Sequence, residues 1–280
     1  MIIPTRWSLQ MVRQFLCMSL CALVVVGARG GSKRPAGSVE FEQPTADVEP
    51  VSDVTVLNDA DFTKYQDCDE ILASGSYKEA GAYRIYLNQS EPIVVFCSFE
   101  SGVASYGILV QKFGTVSFVQ NFYNYERGFG NIAAGDGWLG LANIKALTDK
   151  GYNTLTVTMQ DCNHNVKTIV YRHFSLGPAS SRYTLYINSY ASGNVLPDDF
   201  SFNNGMPFAT IDAPDAHSCA LSMRGGWWYN YCTYTLPTGR YYPQCGSYTP
   251  PGSMYDGLFY RDWYGFGYSL KYFSMTLSSF

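Results

Sequence analysis

The sequence predicts a mixed fold of short helices and strands followed by a long loop-rich end. Three observations carry that prediction. Runs rich in β-branched and aromatic residues recur between about residues 83 and 176, the pattern of strands. Two segments, at 67–75 and 141–151, carry a helix start signal and a helix stop signal respectively. Beyond about Asn188 regular patterning fades into Gly, Pro, Asn, Asp and aromatic residues, and three cysteines stand there. With 280 residues, 46% hydrophobic and 15% charged, the chain is long and apolar enough to bury a full core.

From the N-terminus, Arg6 and Arg13 precede the apolar run Phe15 to Gly27, and Val26-Gly27-Ala28 offers small residues for cleavage. Residues 1–28 therefore read as a signal peptide, too short for a membrane span. Removing them takes two of the 19 basic residues and none of the 23 acidic ones, so the net charge moves from −4 to −6. An acidic secreted chain argues against nucleic acid and against anionic membranes as partners. Residues 29–61 follow as a linker. Its stretch "VEFEQPTADVEPVSDVTVLNDAD" holds seven acids, two prolines and no Lys or Arg, and has no heptad or Gly-x-y period. It is expected to be mostly disordered, with "VTVL" available as an edge strand.

Order is expected from residue 62 onward. "DCDEILASG" reads as a short helix with Asp67 at the N-cap and acids in its first turn. "PIVVFCSFE", "YGILVQKF", "TLTVTMQ" and "TIVYRHFSL" read as strands, and "LANIKALTDKG" as a helix ended by Gly151. Asp198 and Asp199 in "LPDDF" read as a solvated turn. The 23 tyrosines suit either a recognition surface, where Tyr gives contact area at low entropy cost, or a Tyr-rich core.

Cys17 and Cys21 leave with the signal. Six cysteines remain, an even number that implies disulfides in a secreted chain, though spacing alone does not select the pairs. His164, His173 and His217 are scattered, without metal-ligand spacing. No Ser or Cys stands in a recognisable nucleophile motif with His and an acid, so the chain is expected not to be an enzyme. Asn88-Gln89-Ser90 is a glycosylation sequon, placing Asn88 as the acceptor.

Eight segments then occur in one order: "DCDEILASG", "YRIYL", "PIVVFCSFE", "YNYERGFGN", "WLGLANIKALT", "NNGMPFATID", "GGWWYNYC" and "GYSLK". Together they strongly resemble the fibrinogen-related domain, the C-terminal globular module of fibrinogen chains, ficolins, tachylectins and angiopoietins. The resemblance covers residues 62–280. It implies one α+β domain with a twisted antiparallel central sheet and a loop-rich, disulfide-stapled C-terminal binding subdomain. It further implies Cys68–Cys97 and Cys219–Cys232 bridges. Cys162 and Cys245 fall outside those two standard bridges; a third bridge within the chain is the simple reading, and pairing between chains the competitor.

In the acetyl-binding members of that family the peptide before the second cysteine is cis and turns a backbone N–H toward the ligand. Here that bond is Tyr231–Cys232. The resemblance places Tyr231, Cys232, Thr233, Met223, Tyr255, Asp256 and Phe266 around the pocket. Tyr255 and Phe266 match aromatic walls, Asp256 stands ready for a sugar hydroxyl, and Trp227 and Trp228 support the loop from the core. Thr233 replaces the usual His and Met223 the usual aromatic residue. The family also brings calcium as a candidate cofactor, with Asp212 and Asp215 as the metal residues. The loop is damaged for that purpose: Pro214 stands where the second acid belongs, Asp215 follows one position late, and the run to Cys219 is short. Calcium wants six to eight oxygens, so two misregistered acids read equally as an ordinary turn bonding backbone N–H groups.

The function implied is a secreted lectin-like protein binding acetylated carbohydrates or cell-surface glycans in innate immunity. The alternative is a signalling or adhesion ligand that binds a protein receptor through the same face. No collagen or coiled-coil stalk is present in the sequence, so avidity would need a homo-oligomer formed by the globular domain or by a cysteine.

Overall fold

The computed structural model describes residues 55–60, 63–77, 79–87 and 91–279. The signal peptide, residues 29–54 of the linker and the sequon asparagine Asn88 lie outside the described residues.

Helix α1 (Cys68–Ser74) begins where the sequence places it. Asp67 caps it by accepting from the Glu70 N–H at 2.9 Å, and Gly75 ends it in the left-handed region at φ 69°. A cap of this kind is worth about 1 kcal/mol. The chain then lays down strands β1 (Gly81–Ile85), β2 (Ile93–Ser98) and β3 (Ser105–Gln111). Helix α2 (Phe122–Arg127) and the short strands β4 (Phe129–Asn131) and β5 (Asp136–Trp138) follow. Then come α3 (Leu141–Asp149), β6 (Thr154–Gln160), β7 (Val166–Leu176) and β8 (Leu185–Tyr190). The remainder carries α4 (Cys219–Met223), β9 (Thr235–Leu236), β10 (Gly246–Ser247), β11 (Phe259–Tyr260), α5 (Arg261–Tyr264), β12 (Tyr268–Ser269) and β13 (Tyr272–Ser278).

Every named strand pair is antiparallel. Among the described residues the main sheet has nine strands in the order β1-β2-β3-β13-β6-β7-β8, with β5 on β3 and β4 on β5. The last strand of the chain is thus an interior one. It bonds β3 on one side and β6 on the other. This corrects the expectation that regular patterning fades beyond about Asn188. The period-2 signal was there: Phe273, Met275 and Leu277 all point into the core.

The sheet's first edge is covered by the segment Val56–Asn58, through backbone and side chain. Val56 makes a single parallel bridge to Ala82, and Asn58 donates to the Arg84 carbonyl at 3.0 Å and accepts from its N–H at 2.8 Å. An exposed edge would invite pairing with another chain. Helix α3 packs close to α2 because Gly140 has no side chain: a Cβ there would lie 2.6 Å from the Arg127 carbonyl carbon.

Under the sheet sits an aromatic cluster. Trp228 meets Trp227 at 5.0 Å, Phe208 at 5.0 Å and Trp138 at 6.3 Å between ring centroids. Trp138 and Trp228 each satisfy the indole N–H on a backbone carbonyl at 2.8 Å, of Tyr125 and Tyr183 respectively. Trp227 and Trp228 are fully buried, which makes them supports of the cysteine loop and not its ligand-facing surface.

Disulfides join Cys68 to Cys97, Cys162 to Cys245 and Cys219 to Cys232. Of the two acids read as a solvated turn, Asp198 is exposed and accepts from the Ser201 N–H at 3.0 Å, but Asp199 is not solvated. Asp198 accepts from Tyr171 Oη at 2.7 Å, while Asp199 is fully buried and meets Arg261 at 2.8 Å. Burial pushes the Asp199 carboxyl up to about 6 against the pull of the Asp262 N–H and Arg261. The segment folds inward because Phe200, beside the acids, stacks on Trp227 at 5.0 Å.

Candidate functional site: the C-terminal loop face

The cysteine loop is built from the core outward. Gly226 passes so close to Tyr125 that a Cβ would lie 2.4 Å from its ring, and its N–H donates to Tyr125 Oη at 3.0 Å. Trp227 exchanges both backbone hydrogen bonds with Ala209, at 2.9 and 3.0 Å. The chain then rises to the surface. Asn230 Nδ2 donates to the Phe202 carbonyl at 2.7 Å, and Tyr231 emerges with 76% of its surface exposed. The Tyr231–Cys232 peptide is cis. His217 packs edge-on against the Tyr231 ring at 4.8 Å.

Thr233 turns the other way. It is buried, and its hydroxyl lies 2.9 Å from Asn203 Oδ1 and 2.7 Å from the Thr235 carbonyl. The position expected to hold a donor at the pocket edge is instead a strut beneath it. Met223 is likewise buried in the core, so it is not a pocket wall. Asn203, unremarked in the sequence beyond its motif, is the central brace: its Nδ2 donates to the Trp228 carbonyl at 2.7 Å while its Oδ1 faces Thr233.

A second loop, residues 240–257, carries the remaining tyrosine expected at the site. Tyr255 is 41% exposed, and its ring lies over Gly267, where a Cβ would sit 3.2 Å away. Tyr248 meets Tyr255 edge-to-face at 5.8 Å and Tyr242 at 4.2 Å. Asp256 does not reach out for a ligand. It is buried, accepts from Tyr242 Oη at 2.7 Å and pairs with Arg240 Nε at 3.1 Å. Burial and the Asp256 charge raise the Tyr242 hydroxyl, and burial pushes Tyr248 up to about 12, so both are neutral proton donors. Phe266 is half-buried against Phe259 at 5.3 Å and Tyr234 at 6.4 Å. Tyr234 itself lies between Phe202, stacked at 4.0 Å, and the Arg261 guanidinium at 3.6 Å. Tyr255 and Phe266 are thereby joined through Gly267, and Phe266 reaches the cysteine loop through Tyr234.

Asp212 and Asp215 do not fit a calcium site. Asp212 Oδ1 accepts from the Phe122 N–H at 2.9 Å and Thr210 Oγ1 at 2.7 Å. Asp215 accepts from the His217, Cys219 and Ala220 N–H groups at 3.0, 3.1 and 2.9 Å. Both acids are turned onto protein donors. Among the described residues no group of three or more His, Cys, Asp or Glu is placed to hold a metal ion. A cleft of about 560 Å³ opens elsewhere, between the outer face of β1–β2 and the Arg127–Ala133 segment, and no candidate residue lines it.

Comparison with known proteins agrees with this architecture. The family described as fibrinogen beta and gamma chains, C-terminal globular domain, matches residues 64–279. Microfibril-associated glycoprotein 4 of Mus musculus is 34% identical over 221 residues, covering 75% of this chain and 83% of that one. Angiopoietin-related protein 7 of Mus musculus is 33% identical over 218 residues, covering 75% of this chain and 62% of that one, so less than two thirds of that relative is spanned. Among solved structures, the fibrinogen-like globe domain of human ANGPTL6 superposes with a TM-score of 0.71 at 28% identity, covering 82% of this chain and 99% of that one. A lamprey fibrin D-dimer complexed with the peptide Gly-His-Arg-Pro-amide gives 0.72 at 28% identity, covering 82% of this chain and 78% of that one. Among the described residues no helix is long and apolar enough to cross a membrane.

Proposed function

The chain belongs to the fibrinogen C-terminal domain family, and on that footing we propose that it is an extracellular, non-catalytic recognition module whose C-terminal loop face binds acetylated glycans. The observation that carries the reading is the contrast in burial on that face. Tyr231 and Tyr255 are left 76% and 41% exposed while Trp227, Trp228 and Tyr229 in the cysteine loop and Thr233 just after it are buried. Exposed tyrosines fixed on a stapled loop give a ligand a rigid apolar surface at low entropy cost. An acetyl group asks for an apolar wall for its methyl and one donor for its oxygen. Tyr255 and Phe266 provide the wall, and the Cys232 amide is the proposed donor. The acids on this face are engaged, Asp256 by Arg240 and Tyr242 and Asp199 by Arg261, so none is offered as a general base. The signal-like N-terminus and three disulfides support secretion.

A second reading, a protein receptor, is favoured by one observation. With Thr233, Met223 and Asp256 turned inward, the surface left is aromatic and apolar, including Tyr231 and the 50% exposed Leu221. That is the chemistry of a protein-binding anchor. The similar lamprey fibrin structure carries a bound peptide.

Calorimetric titration of N-acetylglucosamine separates the two. Binding should be weak, about −4 kcal/mol or millimolar. Tyr255→Ala should abolish it without shifting the melting temperature, because that ring is exposed on one side. If the wild type binds no acetylated sugar, or if Tyr255→Ala binds as well as the wild type, the glycan reading fails and the receptor reading takes its place.

A further inference from the structure

The turn between Thr210 and Cys219, which does not fit calcium, already contains a cation. Arg182 projects Nη1 to 3.2 Å from the Ala213 carbonyl and 3.3 Å from the Pro214 carbonyl. Backbone carbonyls are the ligands calcium would draw on once carboxylates run short. Other groups of the turn bond one another or the Phe122 N–H. The Ala213 carbonyl also accepts from the Thr210 N–H at 3.1 Å, and the Asp215 carbonyl from the Ser218 N–H at 3.1 Å. Asp212 and Asp215 are held as described above.

We propose that the Arg182 guanidinium takes the place of a divalent cation as the tie across the carbonyls of this turn, so that the chain orders its 212–219 loop without metal. Arg182 is fixed for the task by its own backbone, whose carbonyl accepts from the Phe208 N–H at 2.8 Å. Next to it, Tyr183 donates to Glu126 at 2.8 Å, and the Tyr183 carbonyl receives the Trp228 indole. A guanidinium has several N–H donors in a rigid fork and remains charged at every relevant pH. It can bridge two adjacent carbonyls, as a metal would. The consequence reaches the ligand face through His217, which sits in the turn and packs on Tyr231. Arg182 is therefore a positioning residue, and the inference holds whichever ligand that face takes.

Hydrogen exchange of the full chain tests it, with wild type, Arg182→Ala and Arg182→Lys each compared in millimolar calcium and in chelator. In wild type, exchange across residues 212–220 should be slow and the same in both conditions. Arg182→Ala should speed exchange there by roughly tenfold, the scale of a hydrogen bond from a charged donor, and leave β6, β7 and β13 unchanged. Arg182→Lys keeps the charge without the fork and should fall between. Wild-type protection that appears only with calcium would overturn the proposal, as would an unchanged loop in Arg182→Ala. If Arg182→Ala loosens the whole domain, the Lys variant decides: acceleration confined to the loop supports the proposal, and none overturns it.

Discussion

Residue identity and residue orientation part company at Thr233. A hydroxyl after the second loop cysteine looks like a substitute ligand donor, yet the side chain is 4% exposed and braces Asn203. Its removal should be felt as stability and not as affinity. Thr233→Val removes a hydroxyl that serves the Thr235 carbonyl and Asn203 Oδ1 in a buried setting, a cost of about 1–3 kcal/mol. A thermal melt should show that loss while Tyr231 stays equally exposed. A melting temperature equal to wild type would mean that the hydroxyl points outward. Asp256 teaches the same point. Beside an exposed tyrosine it reads as a hydroxyl acceptor, but Arg240 and Tyr242 take both of its oxygens. A charge that can be neutralised internally costs less to bury than one left bare.

Elements of the C-terminal subdomain are too short to hold themselves. Strands β9 to β12 have two residues each, and α4 has five. Their order is borrowed from cross-links. Cys162, in the β6–β7 turn, ties down Cys245, next to β10, across a sequence separation of 83. The Cys162 N–H also donates to Tyr268 Oη at 3.1 Å, and β10 pairs with β12 at Gly246–Ser269 and Ser247–Tyr268. This bridge therefore positions the loop that carries Tyr242, Tyr248 and Tyr255. Replacing both cysteines by serine should cost about 4.5 kcal/mol in the loop-entropy account of so long a closure. The first consequence should be local, with faster hydrogen exchange in residues 240–257 than in β6 and β7. If that loop stays as protected as in wild type, the bridge is not what orders it.

At the scale of the whole molecule, β13 decides. It closes the sheet between β3 and β6 and buries Phe273, Met275 and Leu277. Three such side chains are worth roughly 5–9 kcal/mol in burial alone, comparable to the whole stability of a domain, about 5–15 kcal/mol. Deleting residues 272–280 should therefore abolish folding, seen as loss of the cooperative melt and rapid proteolysis throughout, although it removes only the chain's end. A truncated chain that still melts cooperatively would show that the sheet closes without it.

The sequence by itself determined the elements whose signals are local. Helix α1 was legible from Asp67 and its first-turn acids, β6 from its alternation, and the family from eight ordered motifs, because caps, period-2 burial and short motifs depend on neighbouring residues only. The exposed tyrosines and the stapled loop were legible in kind. Only the tertiary structure decided which way Thr233, Met223 and Asp256 face, that Asp199 is buried against Arg261, that the last strand is an interior one, and that Arg182 reaches the turn 31 residues on. Each of these rests on a partner distant in sequence. A side chain turns inward when such a partner satisfies its polar atoms, and no local pattern along the chain records where that partner will be.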